Sequence, residues 1–307
     1  MPIIEIGNAF YFMYILIAIL LTSLTIAFLR HKSDKFRYWF IFGILMVNLS
    51  IHFLKLLIFP YNDPYYVSHV WVKASLENIC AFSVVLFPLM YFSKNTIIKD
   101  FMVMLGIASG ILAITFPADA IGETFNAIPI LYTKGAFDLE TIRFYTTHFL
   151  LFLAPFLIMH FKQHQLSIKR IIYAPMLLTG LLFVLFFNEL ILSQLGWVPA
   201  GHQMMDPSGR NPSLIFGIKD LQSLTGIGTL FRILVPKFLT VNPFTGETFY
   251  WPVVWMIGPV FVYGSAMAFI FALVYDKQQT LAFVAETLNM KQETLVETSS
   301  LERTNND

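Results

Sequence analysis

A single cysteine, Cys80, excludes an intramolecular disulfide and leaves the redox compartment unread. Charge is scarce as well. Asp, Glu, Lys and Arg make up 13% of the 307 residues, against 57% hydrophobic ones. A soluble domain of that length needs many more charges to cover its surface. The formal net charge is +1 and no basic tract interrupts the chain, so nucleic acid is not an expected partner. Metal-type Cys/His spacing, glycine-rich phosphate loops and HExxH are missing, and no internal repeat is visible. No cofactor and no metal are expected.

Long apolar runs fill the chain instead. A membrane-spanning helix needs about 20 mostly apolar residues. Seven stretches meet or approach that length: residues 9–29, 38–59, 74–92, 101–117, 144–161, 171–196 and 251–275. They predict an all-α, polytopic integral membrane bundle of seven transmembrane helices within residues 1–275. The first stretch does not read as a cleaved signal peptide, because its positive charges follow it. Residues 276–307 read as a cytoplasmic tail. Leu281, Val284, Leu288 and Leu295 give it a short amphipathic helix before it turns polar.

Charge sets the expected orientation. Arg30, Lys32, Lys35 and Arg37 follow helix 1, Lys94 and Lys99 follow helix 3, and Lys162, Lys169 and Arg170 follow helix 5. The alternate connections are poorer in Lys and Arg and carry Asp63, Asp119, Glu123, Asp138 and Glu140. The positive-inside rule places the N-terminus outside and the C-terminus in the cytoplasm, with Lys32 inside and Ser208 outside. The long outer connection, 197–250, contains the turn-rich "DPSGRNPS". Its apolar segment 224–239 is short and broken by Pro236, as in an interfacial or re-entrant helix.

Within this frame, polar residues recur at one depth. Glu77, Asn78 and Cys80 open helix 3, and His148 lies early in helix 5. Asn48, His52 and Lys55 follow i, i+4, i+7 spacing on the outer half of helix 2, which puts them on one face. Asn188 and Glu189 occupy the outer half of helix 6. Ionisable groups in lipid cost several kcal/mol unless paired or hydrated, roughly 2.5–3.5 on insertion scales. They are therefore expected to face one another around an outer polar cavity. Each has a plainer reading too: Cys80 as a small packing residue, Lys55 and Glu77 as a structural ion pair, the amides as interhelical hydrogen bonds.

The run "ENICAFSVVLFPLMYFSKNTIIKDFMVMLGIASGILAITFPAD", then "TIRFYTTHFLLFLAPFLIMHF", "FFNELIL" and "YWPVVW", resembles the YwaF-like integral membrane proteins of bacteria. The resemblance covers about Trp71 to Tyr275 and implies a bacterial cell membrane. That family is similar to an animal membrane acyltransferase that builds polyunsaturated ether phospholipids through a cysteine. Carried over, the resemblance implies Cys80 as acyl acceptor and His148 as assisting base. Asn78, two residues before the cysteine, matches the animal N-x-C pattern, whereas bacterial members carry a histidine there. The animal protein has a histidine directly after the cysteine, where this chain has Ala81.

The expected function is movement of a fatty acyl group between glycerophospholipids through a cysteine thioester, with membrane lipids as partners and a phospholipid or lysophospholipid as substrate. Asn78, Asn188, Glu77, His52 and Lys55 are the candidate substrate-side residues. Two other classes fit the same residues: a transporter or small-molecule binding protein that uses the polar layer, and a non-enzymatic protein whose polar layer only joins helices.

Overall fold

The computed structural model describes residues 2–64, 69–117, 135–207, 209–218, 229–242 and 244–288. Asp119, Glu123, Ser208, the start of the 224–239 segment and the tail beyond residue 288 lie outside them. The chain is helical. Among the described residues there is no strand, only isolated bridges pairing Ile3 with Gly135 and Val241 with Thr248.

Seven main helices follow in order: α1 (Ala9–Leu29), α2 (Asp34–Leu54), α3 (Ile79–Phe92), α4 (Thr96–Thr115), α5 (Leu139–His160), α6 (Ala174–Gln194) and α7 (Ile257–Tyr275). Six of them, counting short helical extensions, are long and apolar enough to cross a membrane. The exception is α3, with 14 residues. At 1.5 Å per residue it reaches about 21 Å, short of a hydrocarbon core of about 30 Å.

The helix ends differ from the sequence reading for identifiable reasons. Ser33 and Asn95 cap α2 and α4, their side chains accepting from backbone N–H groups of the first turn, so both helices start earlier than their apolar runs. Helix 3 starts later than residue 74. A separate turn, Trp71–Ala74, ends at Ser75 in extended backbone, and Asn78 then caps α3 by accepting from Ala81 N at 2.8 Å. Glu77 thus precedes the helix that it was expected to open.

Hydrogen bonds show that the seven helices alternate in direction. At one end, Tyr11 Oη donates to Thr115 O, joining the start of α1 to the end of α4, and Tyr14 Oη donates to Ala136 O just before α5. Asn188, near the end of α6, donates to Ser75 Oγ before α3. At the other end, Arg37 at the start of α2 donates to Leu29 O, and Tyr91 at the end of α3 donates to Tyr38 O. Asp276, after α7, accepts from Ile168 N. The first of these is called the N-terminal end below.

The tightest helix pair is α4 with α5. Gly106 and Gly110 lie four residues apart on α4, and small residues at that spacing let membrane helices approach closely. A Cβ at Gly106 would lie 2.6 Å from Pro155 Cγ, and one at Gly110 would lie 2.9 Å from His148 O. By contrast, α1 buries only Tyr11 and Leu29. Residues 277–288 continue as a helix, with Thr280 fully buried and Phe283 against the core.

Candidate functional site

The expected polar layer exists as a chain of ionic contacts at the N-terminal end. Glu77 is its centre. Lys55 Nζ donates to Glu77 Oε1 at 3.2 Å, and Lys73 Nζ donates to Oε2 at 3.0 Å. Arg210 reaches Glu77 at 3.8 Å and makes a two-pronged contact with Glu189, 2.8 Å at each oxygen. Lys55, Lys73, Glu77 and Glu189 are all buried. A second group adjoins them: Tyr61 Oη donates to Glu140, which also pairs with Arg143. The Tyr61 ring lies 5.6 Å from Lys55 Nζ and 5.7 Å from the Arg143 guanidinium.

These surroundings fix the charge states outside the helices. Burial pushes the Glu77 carboxyl up, but Lys73, Lys55 and Arg210 outweigh it and hold the group well below the usual carboxylate range. Burial also works against the Arg210 charge, yet Glu189 and Glu77 hold its pKa above the ordinary value. Burial keeps the Tyr61 phenol neutral, well above its ordinary pKa, as a hydrogen-bond donor must be. The first chain then counts three cations, Lys55, Lys73 and Arg210, against Glu77 and Glu189. The Arg143–Glu140 pair is neutral as a unit. The contacts of the first chain bring three cations to two carboxylates.

The other predicted residues border it. His52 is 3% exposed and contacts Ala74 O at 3.2 Å. A carbonyl only accepts, so Nε2 of His52 is the protonated nitrogen. His148 is buried, with Nδ1 2.8 Å from Phe144 O, so Nδ1 carries its proton and Nε2 keeps the lone pair. Asn48 Nδ2 donates to Thr147 O, beside His148. Asn48 Oδ1, Thr141 Oγ1 and Thr147 Oγ1 are buried without a hydrogen-bond partner among the described residues. Cys80 is partly buried in the first turn of α3. Asn78 spends its carbonyl oxygen on the helix cap, and Asn188 donates to Ser75.

The long connection supplies what the sequence reading missed. Residues 209–218 do not pass over the bundle as an exposed loop. Ile215 and Phe216 are fully buried. Ile215 O accepts from Val253 N and Trp255 Nε1, and Asn211 bonds both Phe216 N and Gly217 O. Ser213 Oγ accepts from Ile79 N at 3.0 Å, immediately before Cys80. This anchoring delivers Arg210 to the carboxylates. For Lys73 a local signal existed: it stands four residues before Glu77, a pairing distance on a helix. For Arg210 the only signal was one arginine in an otherwise turn-rich segment.

Residues 6–218 match the model of the TMEM164 family, from just before α1 through the 209–218 segment. No curated protein matches the chain, and no solved structure does.

Proposed function

This chain belongs to the TMEM164 family of membrane proteins, and from that premise we propose that it transfers fatty acyl groups between glycerophospholipids through a thioester on Cys80. Support comes chiefly from residues 77–80. That one short segment carries both Glu77, the carboxylate on which Lys55, Lys73 and Arg210 converge, and the chain's single thiol. A phospholipid brings a phosphate, which suits those three cations, and an ester at interfacial depth. The resemblance to cysteine-dependent lipid acyltransferases points the same way.

In this reading Nε2 of His148 takes the thiol proton as sulfur attacks the ester carbonyl carbon. The first turn of α3 favours the negative charge on sulfur, since helix N-termini favour anions. Asn78 Nδ2 is a donor for the oxyanion. The tetrahedral adduct collapses, the C–O bond breaks, and the glyceryl oxygen leaves with the proton held by His148. The products are a lysophospholipid and acyl-Cys80. A hydroxyl of a second lysophospholipid then gives its proton to His148 and attacks the thioester. Sulfur leaves and recovers that proton. Lys55, Lys73 and Arg210 hold the phosphate, while His52 braces the entry to α3.

Purified protein incubated with acyl-labelled phospholipid and quenched in acid is expected to carry a hydroxylamine-sensitive label on Cys80. Cys80→Ser is expected to lose it. Lipid remodelling at full rate by Cys80→Ala would overturn the reading and favour solute binding by the polar layer. We also propose the orientation that the Lys and Arg distribution implies, N-terminus outside. In a Cys80→Ala background, an impermeant thiol reagent added outside is expected to modify Thr245→Cys and spare Lys32→Cys. The reverse pattern would invert the topology.

A further inference from the structure

A second cleft, whose lining includes neither Cys80 nor His148, lies between α1 and α5. A half-open cleft of about 330 Å³ is lined by Met13, Ile17 and Leu21 of α1, Tyr145 and Phe149 of α5, and Ile114 of α4. Its walls are almost wholly apolar. Residues 13 to 21 of α1 extend about 12 Å along the helix axis. The cleft therefore runs with the helices, as an acyl chain does. It is continuous with the open flank of α1, where Leu16, Leu20 and Leu24 are each more than half exposed. In a bilayer that flank faces lipid.

Three residues with hydroxyl groups, Tyr14, Tyr145 and Thr146, interrupt the apolar lining. Tyr145 is 4% exposed, and its hydroxyl has no hydrogen-bond partner among the described residues. A buried hydroxyl in a hydrocarbon setting costs free energy until it finds an acceptor. Its depth indicates which acceptor. Helical side chains lean toward the helix N-terminus, so the Tyr145 hydroxyl lies nearer the membrane surface than its Cα. The Tyr14 ring stacks on Tyr145, centroids 4.0 Å apart and planes 5° apart, and carries its own hydroxyl to Ala136 O, before α5 begins. An acceptor at that level, above an apolar channel, matches the ester carbonyl of a glycerolipid whose chain continues below.

We propose that this cleft binds one acyl chain of an ester-linked glycerolipid from the leaflet at the N-terminal end, with Tyr145 Oη donating to the ester carbonyl. The site is separate from Cys80 and does not depend on the acyl-transfer reading. The test uses the whole protein in nanodiscs containing a phosphatidylcholine with a photoactivatable diazirine in its acyl chain, followed by peptide mapping. Crosslinks are expected on 13–21 and 142–149, above the level on Leu89, which is exposed elsewhere on the bundle. A diazirine analogue with an ether in place of the ester is expected to label the cleft about fivefold less, the weight of one net hydrogen bond. Ala18 also lines the cleft from α1, and Ala18→Trp should block labelling there and leave Leu89 unchanged. Cys80→Ser should label as the parent does. Equal labelling by ester and ether lipids in the parent protein would overturn the hydrogen bond. Uniform labelling of all exposed faces, or a crosslink to α1 of a second chain in the cleft, would overturn the site.

Discussion

Glu77→Gln is expected to destabilise the protein by about 3–5 kcal/mol, because removing one member of a buried ionic group strands the others. Lys55 and Lys73 both rely on that carboxylate, and neither has another carboxylate within ion-pair distance among the described residues. The volume hardly changes, so the loss is electrostatic. Thermal unfolding in detergent should show a large drop, and Lys73→Met in the Glu77→Gln background should restore part of it by removing one stranded charge. An unchanged unfolding temperature for Glu77→Gln would show that the ionic chain is not holding the bundle. The acid dependence has a definite sign. The Glu77 pKa is lowered on folding, so its contribution is complete above the ordinary value of 4.5 and is lost as pH falls through the folded value. Acid should therefore narrow the gap between the parent protein and Glu77→Gln from the parent's side.

His148→Ala is expected to slow acylation of Cys80 by about 10²–10⁴-fold, the usual contribution of a general base. His148→Gln should not rescue it, since a glutamine amide has no basic nitrogen. The measurement is the rate at which the acid-stable label appears on Cys80 in a single turnover. Unfolding temperature is the control, because His148 is buried against Phe144 and the α4–α5 contact. A His148→Ala protein that is stable and acylates at the parent rate would remove the histidine from the mechanism. If Asn78 supplies one oxyanion contact, Asn78→Ala should act on two quantities at once, since the same side chain caps α3. It should lower the rate and also cost about 1 kcal/mol of stability.

The spans were legible because one physical number, the thickness of hydrocarbon, sets their length. The depth of the polar layer was legible for a similar reason: Asn48, His52 and Lys55 keep helical spacing, and alternating helices convert position along the chain into height. Pairing across the layer was only partly legible. Lys55 with Glu77 follows from depth and opposite charge. Arg210 with Glu189 does not, because it depends on how a 10-residue segment folds back between α3 and α6, and no periodicity records that. The start of α3 was misplaced because Ala74, Leu76 and Ile79 read as part of the apolar run despite Ser75, Glu77 and Asn78 among them, while the local cap at Asn78 decides where the helix begins. The close approach of α4 to α5 was present in the letters, as Gly106 and Gly110, but appears only as two small residues until the partner backbone is beside them.

The return of residue 210 to a carboxylate on α6 also has a meaning in time. A ribosome makes Glu189 twenty-one residues before its partner. When α6 first enters the membrane, its acidic side chain has no matching arginine, since Arg210 is still on its way out of the exit tunnel. Until the following segment emerges and folds over it, that carboxylate lacks the two-pronged partner that the folded chain gives it. A chain that stopped between the two positions would leave α6 with a buried carboxylate and no guanidinium to meet it.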